Sequence, residues 1–235
     1  MKEPLTYFIE KTGFDRDEIK RFVAGSKFAG VMLKDGRTGI CAVLDAVIDD
    51  SVVTGTVSPD LNNQGHRVII NAYLNALLNY SRTHEPEADL MTNVDLKKYN
   101  SIVIIGFFES MVAKMIQAGI GFRVYDRDSS IQNDLLSPLP GMDEDLAKCD
   151  ALIITGSSLA NNTFCPLIEK TSAGCDVYLL GPSNILHPDM FLYRNVKMVF
   201  GSVFDRFDNR VLDLIAEGHG ARTFLTGRNK VCLRK

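Results

Sequence analysis

No stretch of this sequence stays apolar for the roughly 20 residues that a membrane helix needs. The opening segment, "MKEPLTYFIEKTG", lacks the apolar centre of a signal peptide. Charge of neither sign dominates: 26 Lys and Arg stand against 29 Asp and Glu, a net −3, with a pI near 5.8. That balance supplies no basic field to draw in nucleic acid or an anionic membrane, so neither is expected as a partner. Five cysteines, at 41, 149, 165, 175 and 232, contain no CxxC pair. A disulfide framework and a structural zinc site are both disfavoured, and reduced thiols in a cytoplasmic protein are the expectation. Three nucleotide and hydrolase signatures are missing. "GFFESM" has one glycine followed by two bulky rings, where GxGxxG would let a dinucleotide pyrophosphate approach. There is no GxxxxGK[ST] loop and no GxSxG elbow, which argues against phosphate-loop chemistry and against an α/β-hydrolase.

What is present is a regular alternation of apolar runs. Residues 4 to 24 read as helix and then strand. "FAGVML" and "TGICAVL" flank Lys34-Asp35-Gly36-Arg37, and Asp-Gly between two such runs signals a hairpin. Residues 51 to 58 read as a third strand or a linker. In "HRVIINAYLNALLNY", Ile70, Tyr73, Leu74, Leu77 and Leu78 recur at helical spacing, which predicts an amphipathic helix with one buried face. A polar stretch containing Pro86 then separates an α+β module, residues 1 to 90, from residues 91 to 235. The second part runs strand, helix, strand, helix over "SIVIIGFF", "ESMVAKMIQAG", "FRVYDRD", "MDEDLAKC", "ALIITGSS", "NTFCPLIEKTSAG", "DVYLLGPS", "PDMFLYR", "VKMVFGSVF", "DNRVLDLIAEG" and "KVCLR". Gly119, Gly174 and Gly218 close helices in this reading. Near-continuously apolar strands alternating with helices predict βαβ units and a mostly parallel sheet covered on both faces.

In an open sheet of that kind, ligands bind beyond the carboxyl ends of the strands, where strand order reverses. Each strand delivers small or polar residues there: Gly106, Phe107 and Phe108 with Glu109; Asp126 and Asp128; Thr155, Gly156, Ser157 and Ser158; Gly181, Pro182, Ser183 and Asn184; Gly201 and Ser202 with Asp205. Gly156 would let backbone approach a ligand closely. Asn161, Asn162 or Thr163 can cap the next helix, whose first turn accommodates Pro166. Free N–H groups at that helix start suit a phosphate, a carboxylate or a chelated oxyanion. The competing reading is that these side chains only cap and turn.

The succession "IGFFES … YDRD … DALIITGSSLANNT … LLGPSNILHP … GSVFD … LIAEGHGAR … KVCLR" resembles the family described as putative heavy-metal chelation proteins, over roughly residues 100 to 235. The blocks "TGSSLANNT" and "GPSNILHP" carry most of the resemblance. It implies an enolase N-terminal-like α+β module followed by an atypical Rossmann-like domain, with a site in the cleft between them. The two blocks, the "GFF" turn and the residues after the second strand would line that cleft.

Among single residues, Asp126 stands where Rossmann folds place a ribose-binding acid, and with Asp128 it offers hard oxygen ligands to a metal. Salt bridges to Arg123 or Arg127 are the plainer use. His187, after the "GPSN" turn, and His66, ahead of the main amino-terminal helix, could ligate a transition metal or act as bases. His84 is expected at the surface and His219 at a helix end. Cys165 is a candidate thiolate at a helix start, and the other four cysteines read as small buried hydrophobes. Three functions follow: binding or processing of a divalent or heavy metal ion, or of a metal-chelating small molecule, between the modules; a transferase using a nucleotide or S-adenosylmethionine; or an interaction module without chemistry. A homodimer is compatible with each.

Overall fold

The computed structural model describes residues 2–86, 88–128, 131 and 133–235. The amino-terminal half runs α1 (Pro4–Thr12), β1 (Ile19–Ala24), β2 (Phe28–Leu33), β3 (Thr38–Ala42), α2 (Ser51–Thr54) and α3 (Gln64–Leu78). The strands form an antiparallel sheet in the order β1-β2-β3. Gly36, with φ +85°, turns the β2–β3 hairpin, and Gly36 N–H and Leu33 N–H bond within it to Leu33 O and Arg37 O. Residues 51 to 54 are one helical turn, where the sequence suggested strand or linker.

The chain then enters a seven-stranded sheet through β4 (Glu85–Pro86). There follow α4 (Leu90–Asn93), β5 (Ile102–Ile105), α5 (Glu109–Gln117), β6 (Arg123–Tyr125), α6 (Met142–Lys148), β7 (Ala151–Thr155), α7 (Ser157–Ala160) and α8 (Phe164–Glu169). The last elements are β8 (Asp176–Leu180), β9 (Val196–Ser202), α9 (Asn209–Ala216), α10 (Ala221–Phe224) and β10 (Lys230–Arg234). The strand order is β4-β10-β9-β8-β7-β5-β6; β6, β5, β7, β8 and β9 are parallel, and β10 and β4 are antiparallel at one edge. The fold is therefore mixed α/β, dominated by a parallel sheet and preceded by an antiparallel one. Helix α8 stops at Glu169, short of Gly174, and residues 188 to 192 form a 3-10 turn.

Alternate residues of each parallel strand serve opposite faces. Ile102, Ile104, Ala151 and Ile153 pack with Met111, Val112 and Met115 of α5. Val103, Leu152, Ile154, Val177 and Leu179 point the other way, into a core that includes α1, α6, α8 and, from the amino-terminal half, α3. This explains why α3 has no exposed face. It lies between the two sheets and is buried from Gly65 to Ala76, so the single apolar stripe read from its sequence understates its burial. Gly39 permits that packing: a Cβ there would sit 2.2 Å from both Ala72 O and Ala76 N. The far side of the small sheet is covered by α9. Leu212 and Ile215 of α9 pack with Met32 and Ile40, together with Phe204 and Phe224. A helix from the end of the chain thus closes the sheet at its beginning.

Candidate functional site

The order β6-β5-β7 contains the reversal at which open α/β sheets place their ligands. Chain leaving β5 moves outward to β6 and returns past β5 to β7, so the loops after β5 and β7 diverge. Between them lies a hollow of about 590 Å³, within the range of small-molecule sites. Its floor is the end of β5 and β7. Gly106, with φ +102°, brings the two loops together: a Cβ there would meet Thr155 Cβ at 2.9 Å. The turn after Gly106 is fastened from below. Asp126 Oδ2 accepts from Phe107 N–H at 2.7 Å, while its Oδ1 accepts from Asp128 N–H at 2.9 Å.

The opposite wall belongs to the amino-terminal half. Lys27, Phe28, Ala42, Asp45 and Gln64 face the hollow there. None of these five was identified from sequence, because a strand end, a hairpin start and a helix start far apart in the chain carry no shared motif. On the sheet side the hollow presents Thr155, Ser157, Asn161 and Thr163. Thr155 Oγ1 and Ser157 Oγ lie 3.0 Å apart, and Asn161 Oδ1 accepts from Thr163 Oγ1 at 2.6 Å. Asn161 thereby spends its oxygen on the loop. Tyr125 also lines the space, but burial, reinforced by Asp145, raises its phenol to about 12, so it stays protonated at neutral pH.

The residues singled out from sequence divide into groups. Gly106, Phe107, Phe108, Thr155, Ser157, Asn161 and Thr163 line the hollow, as do Asp126 and Asp128. Phe108 is also the partition to a smaller hollow of about 350 Å³, which Gly181 and Pro182 line. The remaining loop residues face protein. The Cβ side of Gly156 meets Asn184 Oδ1 at 2.6 Å, so the space its missing side chain leaves is filled by Asn184 and not by a ligand. Ser158 is buried. Asn162 is exposed with φ +57° and lines neither hollow.

Ser183 and Asn184 are buried in a joint between the halves. Ser183 Oγ accepts from Ala42 N–H at 3.0 Å, and Ser183 O accepts from Asn71 Nδ2. Asn184 Nδ2 donates to Phe200 O at 2.8 Å, and Asn184 O accepts from Asn79. Asn71 and Asn75 of α3 and Asn79, which caps its end, recur every four residues and form one buried stripe. Asn75 Nδ2 donates to Ile40 O, and Asn79 Oδ1 accepts from Leu186 N–H at 2.7 Å. Short polar side chains that read as a ligand rim are here the hydrogen bonds of a buried seam.

The histidines are elsewhere. His66, 7% exposed, accepts from Asp60 N–H through Nδ1. His187 accepts from Asp189 N–H at 3.1 Å, packs edge-on against Phe8, and has its pKa lowered by burial. Neither lines either of these two hollows. His84, expected at the surface, is half-buried against Asn79 O. Cys165 is no thiolate: burial raises its pKa to about 11. Among the described residues no three His, Cys, Asp or Glu side chains converge as an ion's ligands would, so the set Asp126, Asp128, His187 and His66 is not assembled into a metal centre. No described helix is long and apolar enough to cross a membrane.

Arg67 was also missed. It is 4% exposed, and its guanidinium donates to Leu159 O at 2.6 Å, Ala160 O at 2.8 Å, Leu61 O at 3.2 Å and Glu3 at 2.6 Å. It thus places a cation on the carbonyl end of α7, the helical turn whose first residue, Ser157, faces the hollow.

The same fold occurs in two solved structures. A DUF364-family protein of unknown function from Desulfitobacterium hafniense matches with a TM-score of 0.75 and 18% identity, covering 99% of this chain and 97% of that one. Another, from Pyrococcus horikoshii, matches with a TM-score of 0.78 and 17% identity, covering 98% of this chain and all of that one. No curated protein matches the chain. The family model of DUF364, described as putative heavy-metal chelation, matches residues 89–234, and the chain belongs to that family.

Proposed function

We propose that the hollow between β5 and β7 binds a small organic molecule, and that any metal it takes arrives as a chelate carried by that molecule. The observation behind this reading is the donor set. Hydroxyl and amide groups of Thr155, Ser157, Asn161 and Thr163 share the hollow with the rings of Phe28, Phe107 and Phe108. Such a lining recognises a shaped organic ligand, with few polar groups fixing its orientation. Lys27 and Arg127 line the hollow together with Asp45, Asp126 and Asp128, so both charge signs are offered, which suits a zwitterionic or metal-bearing guest. The family's description supplies the heavy-metal element; the absence of a three-ligand cluster among the described residues argues against a bare ion as the guest.

A second reading has one observation in its favour. Asp126 directly follows β6, the second parallel strand in chain order, where a ribose-binding acid would stand in an adenosine or S-adenosylmethionine site.

Calorimetry on the full chain separates these. Three titrants are compared: Zn²⁺ or Ni²⁺ alone, preformed ferric citrate, and S-adenosylmethionine. The expected result is micromolar binding of the chelate, weakened at least about tenfold in Asn161→Ala, a loss typical of removing a polar contact. Equal binding of bare cation, unaffected by Asn161→Ala, would overturn the proposal. Binding of S-adenosylmethionine alone would establish the second reading. Silence from every titrant would favour an interaction module.

A further inference from the structure

We propose that Cys149 and Cys175 are an oxidisable pair that closes to a disulfide on exchange with a low-molecular-weight disulfide. Cys149 caps the end of α6 just before β7, and Cys175 immediately precedes β8. Since β7 and β8 are parallel neighbours in the register Ala151↔Asp176, the two residues meet at the amino-terminal edge of the sheet. Their sulfur atoms lie 3.5 Å apart, and both residues are essentially buried. This is the edge opposite the hollow, and neither residue lines it, so the inference is independent of the ligand reading.

The separation is what makes the pair more than core filling. A disulfide holds its sulfurs about 2.05 Å apart, so closure asks for roughly 1.5 Å of side-chain travel, within reach of rotamer adjustment. Access is local. Ser172, Ala173 and Gly174, directly ahead of Cys175, are exposed, so opening this short loop uncovers the two touching sulfurs, Cys149 included, without unfolding the sheet. The two thiols are also unequal. The hydrogen bond that Cys175 can donate to the Cys149 sulfur holds Cys149 below the usual thiol range, and the same contact raises Cys175.

The chemistry follows from that inequality. Cys149, having given its proton to solvent, attacks one sulfur of oxidised glutathione. The glutathione S–S bond breaks, one glutathione leaves as a thiolate and takes up a proton, and a mixed disulfide remains on Cys149. Cys175 loses its proton and attacks the Cys149 sulfur, releasing the second glutathione. Two protein thiols have given up two electrons, and one small disulfide has become two thiols. The new bond joins the starts of β7 and β8, whose far ends carry Thr155 and Gly181.

The test incubates the full folded chain with oxidised glutathione, then denatures it in N-ethylmaleimide and maps the peptides. The expected result is a linked Cys149–Cys175 peptide, a fall from five alkylatable thiols to three, and reversal by dithiothreitol. Closing residues 149 to 175 into a loop should raise Tm by about 7 °C. In Cys149→Ser the link and the Tm rise both vanish. Wild-type mapping alone decides the matter should that variant fold poorly. The proposal is overturned if Cys149 and Cys175 both stay alkylatable, whether or not Cys165 acquires glutathione. A lasting glutathione adduct on Cys149, or links among the other cysteines, overturns it equally.

Discussion

Replacing Arg67 with Met tests whether one buried cation holds the rim of the hollow to the amino-terminal half. The methionine keeps the stem's packing and removes the guanidinium. Leu159 O and Ala160 O then lose donors in a region closed to water, and Glu3 loses its ion-pair partner. Each buried carbonyl left unpaired costs about 1–3 kcal/mol. Glu3, whose side chain is 17% exposed and still accepts from Leu5 N–H and Thr6 N–H, adds less than a fully buried charge would. The expected loss is about 4 kcal/mol, inside the range for breaking a buried ion pair from one side. With an unfolding entropy of roughly 2.1 cal/mol/K per residue, a chain of this length should lose about 8 °C in Tm. Scanning calorimetry and urea unfolding followed by circular dichroism measure it. Arg67→Lys retains the charge but cannot reach four acceptors at once, and should lose about half as much. Hydrogen exchange adds a local readout, with amides of α7 deprotected more than those of α5. A loss under about 1 kcal/mol in Arg67→Met, with α7 as protected as before, would refute the reasoning.

Gly39→Ala should cost roughly 3 kcal/mol, because the new methyl meets backbone of α3 that has no rotamer to change; a Tm within a degree of wild type would show that α3 can shift. Asp126→Asn should lower stability by about 1.5 kcal/mol, since the β5 turn loses a charged acceptor, and should weaken any ligand of the hollow further. Binding that survives Asp126→Asn intact would remove this turn from the site. Burial lowers the pKa of both His84 and His187. The unfolded chain therefore binds more protons than the folded one below the ordinary histidine value of about 6.5. Stability should be full above that pH and decline as pH falls toward 5, and the double variant His84→Gln, His187→Gln should flatten this slope. A flat profile in wild type between pH 7 and 5 would contradict it. Losses at still lower pH belong to carboxylates such as Asp35 and Asp150, which their hydrogen-bond donors hold below the usual range against the opposing effect of burial.

Local elements were readable because their causes are local. The Asp35-Gly36 turn, the alternating strands and the helix over α3 each follow from a few adjacent residues. The Gly106 turn and the Thr155 to Thr163 loop were readable as rim because strand order and loop chemistry both point to carboxyl ends. What failed was assigning a partner to a polar side chain. Ser183 and Asn184 have the composition of a ligand loop, and Ser157 and Thr163 have the same. The difference is that Ala42 N–H and Asn79 of the other half approach the first pair, whereas open space approaches the second. Nothing within ten residues of either loop encodes that. Spacing along α3 offered a partial signal: asparagines at 71, 75 and 79 share one helical face with no solvent reason to do so. A polar stripe on an otherwise apolar helix predicts a hydrogen-bonded seam rather than a surface.

That seam changes what the two halves mean for function. α3 supplies the amides that hold the 183–184 turn, Arg67 on the same helix holds α7, and α9 returns from the carboxyl half to cover the antiparallel sheet. The hollow is walled from both sides by elements locked through buried hydrogen bonds, which are costly to open singly and costlier together. If the hollow binds the guest proposed above, this construction predicts binding without two domains swinging shut. On the reading proposed above, preorganised walls would suit a guest of matching shape. If affinity for the chelate rises when the seam is loosened by Asn79→Ala, closure motion is limiting and this argument fails; if it falls together with stability, the rigid frame is what makes the site.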